Sequence, residues 1–473
     1  MTPLETKRDL DPSGDGPGKK FPEGFALGAA ALFGAVIVLA GLLLLGEFIS
    51  GPESETLAID QPAGGGVAGI EESPAQRDPA SGASGFGDLP RNTAPPADGG
   101  ADDEEDSAGE DAGEGGGETG SPAESDVEPL ACPSGVDRVI CEAAEFVQIA
   151  RGRPFKTFPE VEILEDAEFD AALLADFEDY RESLEVDDLT LTALGLLDSD
   201  LSLAEVFRDS LEVGVVGFYN TDTERLVVRG SDFNLYSQLV LVHELVHAFD
   251  DQWIDLGRED FIDDDAEYGF AAVVEGNASR VENQWRDRLT SAELLQLGQQ
   301  EQAALSPEDM QRLLALPPVV LRLQLSPYTD GRTYVEQLDA VDGEAGVDEA
   351  LTNPPLTSED VLHPGNDRST DIEVVVPAPP SEGEIIDEGR LGELLIRQWL
   401  GRRAGAGWGG DRYTTWRSNG DDCIAVDVIG DTDADTAELL SSAEGWAGSQ
   451  PDQRSTETVT IDGREGVRVT GCG

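Results

Sequence analysis

Between Asp98 and Glu128 the chain carries 13 acidic residues and no basic one. With the Gly, Ala, Pro and Ser that surround it, this stretch cannot bury enough apolar surface to offset its chain entropy. Residues 50–130 are therefore expected to be a disordered, self-repelling linker, with a coil-like reach of roughly 50 Å. Of the 473 residues, only 131–473 remain as material for a globular fold.

Upstream of the linker, Gly24 to Gly46 is a run of 23 uncharged residues rich in Ala, Leu, Val and Ile. At about 1.5 Å per residue it can cross a ~30 Å hydrocarbon core, so residues 21–49 read as one transmembrane helix. Lys19 and Lys20 precede it and Glu47, Glu53 and Glu55 follow it. The positive-inside tendency then puts the tail, residues 1–20, in the cytoplasm and everything beyond Ser50 outside the membrane. A cleaved signal peptide is the alternative, but its apolar core would span only about 7–15 residues, and GEFISGPESE offers no convincing cleavage site.

The whole chain has 97 acidic and 31 basic residues, a net charge of -66, which excludes nucleic-acid binding through phosphate contacts. Residues 1–130 hold 26 acidic and 6 basic residues, leaving 71 and 25 for residues 131–473, a net charge of -46. The balance of 4 Lys against 27 Arg reads as genome composition, and a salt-adapted surface would screen the remaining self-repulsion. Ca2+ sites are the sharper reading of the aspartate runs, although no spaced loop of the EF-hand type is present. The four cysteines, Cys132, Cys141, Cys423 and Cys472, are expected to pair on the outer side of a membrane, and the two local pairs are favoured over the other connectivities.

Residues 213–288 carry the chemistry. VGVVGFYN (213–220) and RLVVR (225–229) read as a β-hairpin, after which Ser231 and Asp232 can cap a helix running through FNLYSQLVLVHELVHAFDD. That helix contains His243-Glu244-Leu245-Val246-His247, two of the three histidines in the chain. Residues i and i+4 share a helical face, so both imidazoles point to one spot and Glu244 can reach a water held there. The plainer alternative is a pair of satisfied core histidines.

A catalytic zinc needs a third protein ligand, and Asp250 and Asp251 stand where a third histidine at short spacing would have to follow. Downstream, DDDAEYGFAAVVEGNASRVENQW has helical apolar spacing, with Glu275 among the small residues Ala271, Ala272, Gly276, Ala278 and Ser279. A charge in such a packing face is costly unless it is paired or ligating.

The flanks read as helices at 136–150, 167–184, 203–211 and 390–400, a strand at 161–164, and helices over 290–350 broken at Pro317-Pro318. Beyond residue 404 the pattern suggests strands around one helix, with Trp408 and Trp416 in the core. The class is α+β, with a main domain at 131–403 and a small C-terminal α/β subdomain at 404–473.

HExxH on one helix with a glutamate ligand on the next resembles the gluzincin metallopeptidases. HAFDDQ after the motif and the local EGNA look more narrowly like a family of bacterial metallopeptidases with HELxHAxxDQ and EGxA motifs. The similarity extends from GFYNTDTERLVVRG through PYTDGRTYV and LHPGND to GWGGDRY. It implies a zincin-like ectodomain in which His243, His247 and Glu275 bind Zn2+ and Glu244 is the general base. Where many gluzincins place an aspartate four residues after the glutamate ligand, this chain has Ser279, whose hydroxyl would hold a ligand histidine more weakly. In gluzincins a His or Tyr from farther along commonly stabilises the oxyanion, which makes His363, Tyr328 and Tyr334 the candidates.

The expected function is a membrane-anchored zinc metallopeptidase acting on a peptide or protein substrate outside the cytoplasmic membrane. The hairpin could offer its edge to an extended peptide. The alternatives are a catalytically silent tethered ectodomain that binds a cell-envelope partner and, more narrowly, a zinc amidase of peptidoglycan stem peptides.

Overall fold

Alternating β-branched and aromatic runs, and helices with clear caps, organise the chain from Val127 to Cys472 in a computed structural model. The described residues are 127–472 except 231–232, 259, 366–371, 380–382, 419 and 451. The expected transmembrane helix at 21–49, the cytoplasmic tail and nearly all of the linker lie outside them. Among the described residues no helix is long and apolar enough to cross a membrane.

The order begins α1 (Arg138–Ala150), β1 (Val161–Leu164), α2 (Asp166–Phe177), α3 (Arg181–Leu194), α4 (Leu203–Gly214), β2 (Gly217–Asn220) and β3 (Arg225–Arg229). Six helices follow: α5 (Leu235–Trp253), α6 (Asp264–Arg286), α7 (Ser291–Ala304), α8 (Pro307–Leu314), α9 (Pro318–Asp342) and α10 (Glu344–Thr352). The chain closes with α11 (Ser358–Leu362), β4 (Glu384–Gly389), α12 (Gly392–Leu400), α13 (Arg402–Gly405), β5 (Trp408–Ser418), β6 (Asp421–Gly430), α14 (Asp433–Ser449), β7 (Arg454–Ile461) and β8 (Arg464–Cys472). The class is α+β.

Two sheets flank the helices. The first has the order β1-β3-β2, with β1 parallel to β3 and β2 antiparallel to it. Its Tyr219, Leu226 and Val228 pack on Leu241, Val242 and Leu245 of α5, while Phe218 and Val227 face the larger core on the other side. The second sheet, β4-β5-β6-β8-β7, is antiparallel throughout and is covered by α14. Trp408 and Trp416 are buried in it. One continuous core joins α2, α3 and α4 to α12 and to Ile424, Val426 and Val428 of β6.

Several elements differ from the sequence-based expectation. The helix expected over 167–184 breaks at a 3-10 turn, Glu178–Tyr180, and α3 then runs on to Leu194. The first strand of the hairpin is only four residues because α4 extends to Gly214. The expected caps Ser231 and Asp232 lie outside the described residues, and Asn234 caps α5 by accepting from the Ser237 N–H at 3.0 Å. WGGDRY opens strand β5, whose partner β4 lies upstream of residue 404. Cys132 is bonded to Cys141, and Cys423 to Cys472 across the β6–β8 pair.

Helices α6 and α9 make the closest crossing. A Cβ built on Gly276 would lie 2.3 Å from the Gly331 carbonyl carbon, and one on Gly331 would lie 2.1 Å from the Ala272 carbonyl oxygen. Backbone atoms cannot yield as a flexible side chain can, so both positions require glycine. Gly331→Ala should therefore lower the unfolding free energy by about 1–3 kcal/mol. Chemical denaturation of the variant beside the parent checks this; an unchanged midpoint would show that the helices are not in contact there.

Candidate metal centre

Helix α5 is buried along nearly its whole length, from Tyr236 to Asp250. Its two histidines, one turn apart, bring their ring centroids to 4.8 Å at 74°. Helix α6 begins where Asp263 accepts from the Ala266 N–H at 3.1 Å, and the aspartates of its first turn suit the positive end of the helix dipole. The small residues of α6 then let Glu275 approach α5. Its Oε2 lies 3.1 Å from His243 Nε2 and 3.5 Å from His247 Nε2.

His243, His247 and Glu275 could hold a metal ion, since their ligand atoms all lie within 4.8 Å of one another. The two imidazole–carboxylate separations bracket the ~3.3 Å ligand spacing of a tetrahedron with bonds near 2.0 Å. His243 and Glu275 are fully buried and His247 is 3% exposed. Burial alone would push the His243 pKa down, but the carboxylates of Glu275 and Glu282 outweigh it and raise the pKa to about 10. Burial would raise the Glu275 carboxyl, and the imidazoles of His247 and His243 overcome this and hold it below the usual range.

The other nitrogen of His243, Nδ1, lies 3.1 Å from Glu282 Oε2. This replaces the expected contact from Ser279, whose hydroxyl is buried and has no hydrogen-bond partner among the described residues. Glu282 is two turns beyond Glu275 on the same helix, and its carboxylate presents the opposite nitrogen, Nε2, to the centre. Glu244 is buried against β2. A Cβ on Gly217 would lie 2.5 Å from Val240 and 3.4 Å from a Glu244 carboxylate oxygen, so the strand can cross this close only with glycine there.

Of the three oxyanion candidates, Tyr328 is at the centre. Its ring stacks on His243 at 5.9 Å and 26°, and its hydroxyl bonds Glu275. Burial, then the charges of Glu275 and Glu244, push the phenol well above its usual range. The motif SPYTDGRTYV lies inside α9, within the stretch expected to be helical. His363 is placed elsewhere: its Nε2 lies 3.0 Å from Glu393 and 3.1 Å from Arg397. Tyr334 packs between two hydrophobic clusters, with Asp360 as its charged neighbour.

A buried polar network fixes the angle between α5 and α6. Asn277 donates to Asp250 at 2.6 Å, Arg151 at the C-terminal cap of α1 donates to Asp250 at 3.0 Å, and Arg280 donates to Asn277 at 2.9 Å. Arg280 also pairs with Glu344 at 2.7 Å, extending the network to α10. Asp250 and Asn277 thus give the DDQ and EGNA segments a structural role beside the three candidate ligand residues. Glu282 and Gly331 carried no distinct sequence signal.

Comparison with protein-family models, with curated proteins and with solved structures gave no match to this chain.

Metal binding has to displace the proton that His243 carries in the metal-free protein, because its pKa there lies near 10. Affinity for a divalent ion should therefore rise roughly tenfold per pH unit between about pH 6 and pH 8, with one proton released per ion bound. Calorimetry in buffers of different ionisation enthalpy measures both quantities. Uptake without proton release would contradict the charged imidazole.

Proposed function

We propose that this chain is a zinc-dependent, gluzincin-type metallopeptidase with a zincin-like fold. In this reading the domain is anchored by residues 21–49 and held outside the cytoplasmic membrane by the acidic linker. One observation carries the reading: Glu244, a buried acid, lies in the chain between His243 and His247 and is not one of the three residues that could hold a metal ion. A structural metal site needs ligands only, whereas hydrolysis also needs a base beside them.

His243, His247 and Glu275 would hold the ion, and Glu282 would keep the His243 ring in the tautomer that presents Nε2. Bound zinc supplies an acidified water and a Lewis acid for the scissile carbonyl. Glu244 takes the proton of the attacking water and returns it to the departing amine. Tyr328 donates its hydroxyl proton in a hydrogen bond to the oxyanion that develops on the carbonyl oxygen. The tight packing of Gly217 on α5 keeps the Glu244 carboxylate from swinging away from that position.

Two isosteric variants of the full chain test this assignment. Glu244→Gln should keep one zinc per chain and lose about 10²–10⁴ in hydrolysis of a quenched-fluorescent peptide library. Tyr328→Phe should keep zinc and lose about 10²–10³ in kcat with little change in KM. A zinc-loaded parent that cleaves nothing in the library, or a Glu244→Gln variant as active as the parent, would end the peptidase reading.

A further inference from the structure

Helices α7 and α8 are inserted between the ligand helix α6 and α9. Their outer faces expose Leu294, Leu295 and Leu314. On their inner side Leu297, Leu305 and Leu313 pack on Tyr236, Leu239 and Val240, in the first half of α5. This small cluster is separate from the cores that hold the two sheets. The insertion thus touches the helix that carries both histidines without being built into the main core.

A line of charges runs from that insertion to the metal centre. Glu301 of α7, nearly buried, pairs with Arg286 at 2.7 Å. Arg286 lies 3.9 Å from Glu282, one turn back on α6, and Glu282 faces His243 Nδ1 at 3.1 Å. Beside Glu301, the Gln300 side chain accepts from the Tyr236 N–H at 3.1 Å. Tyr236 stands two turns before His243 on the same face of α5, among Glu282, Glu301 and Arg286, and its buried hydroxyl has no hydrogen-bond partner among the described residues.

The distances in this line are unequal, and the inequality has a consequence. Arg286 is held tightly by Glu301 and only loosely by Glu282, which leaves the Glu282 carboxylate on the imidazole. Without the Glu301 charge, the half-shielded guanidinium has one acidic neighbour left and would close on Glu282, drawing it off Nδ1.

We propose that Glu301 is a positioning residue of the metal centre. By engaging Arg286 it leaves Glu282 on His243, so the docking of α7 and the retention of metal are coupled. This rests on the reading that His243, His247 and Glu275 bind an ion.

The test uses the full chain loaded with cobalt(II), following its visible absorption and the rate of metal release to excess chelator. Glu282→Gln should speed release about 10–100-fold, the usual effect of removing an outer partner of a ligand histidine. Glu301→Gln should speed it several-fold and shift the cobalt spectrum in the same sense. The double variant should release metal no faster than Glu282→Gln alone, because both residues act through one contact. Glu293→Gln, which weakens only the capping box of α7, should release at the parental rate. Additive effects in the double variant, a parental rate in Glu301→Gln, or an equal effect of Glu293→Gln would overturn the proposal while leaving the metal site intact. A parent that takes up no cobalt would overturn both this proposal and the metallopeptidase reading.

Discussion

The arrangement depends on one buried carboxylate. Glu275 sits at full burial where α5, α6 and α9 meet, and an isolated ionised group there would cost several kcal/mol. Two imidazoles and a tyrosine hydroxyl surround it, so the charge is compensated only when all three helices are in place. The packing serves that requirement: Ala272, Gly276 and Gly331 let α6 and α9 meet at backbone distance, and Asn277 on Asp250 fixes α6 against α5. Without metal the compensation falls to a proton on His243; with metal the ion takes it over. Folding and metal binding are then linked, since an ion that binds only the assembled helices stabilises them by mass action.

The strong negative charge does not prevent such a fold, because the arginines are placed where acids are buried. Arg151 and Arg280 pair with the buried Asp250 and with the half-buried Glu344 and Asp339 beside α5 and α6. Arg390 and Arg412 meet on Asp263, which caps α6. At that same helix start, Asp265 accepts from the Ser358 N–H, and burial holds its carboxyl well above the usual range. Asp411 in turn accepts from the N–H groups of Leu391 and Gly392 at the start of α12. The beginning of the ligand helix is thus locked to α11, α12 and β5, far along the chain from the histidines it has to meet.

The parts of this centre that were legible in the sequence are those set by local periodicity. Two histidines at i and i+4 share a helical face in any fold, and a glutamate among alanines and glycines announces a charge forced into a packing surface. What was not legible depended on contacts between distant segments. Glu282, flanked by Arg280, Asn283 and Arg286, looks like any exposed helix acid until α5 lies against it. The helical expectation over 290–350 holds through Pro327, Thr329, Asp330 and Gly331 despite their turn chemistry, because Gly331 fits against Ala272 and the burial gained there overrides local preference. The glycines of GWGG likewise answer to distant contacts: close backbone approach, Gly409 to Gly430 and Gly410 to Ile372, requires them within a strand that carries a register shift.

The choice between Tyr328 and His363 as oxyanion partner turns on proton state as much as on place. The imidazole of His363 is engaged through Nε2 by the carboxylate of Glu393 and the guanidinium of Arg397. A phenol donates while neutral. The Tyr328 phenol is driven further from ionisation by burial and by the charges of Glu275 and Glu244, so it is held as a neutral donor. One buried carboxylate thus sets both the ligand geometry and the constancy of the hydrogen bond that would stabilise the transition state.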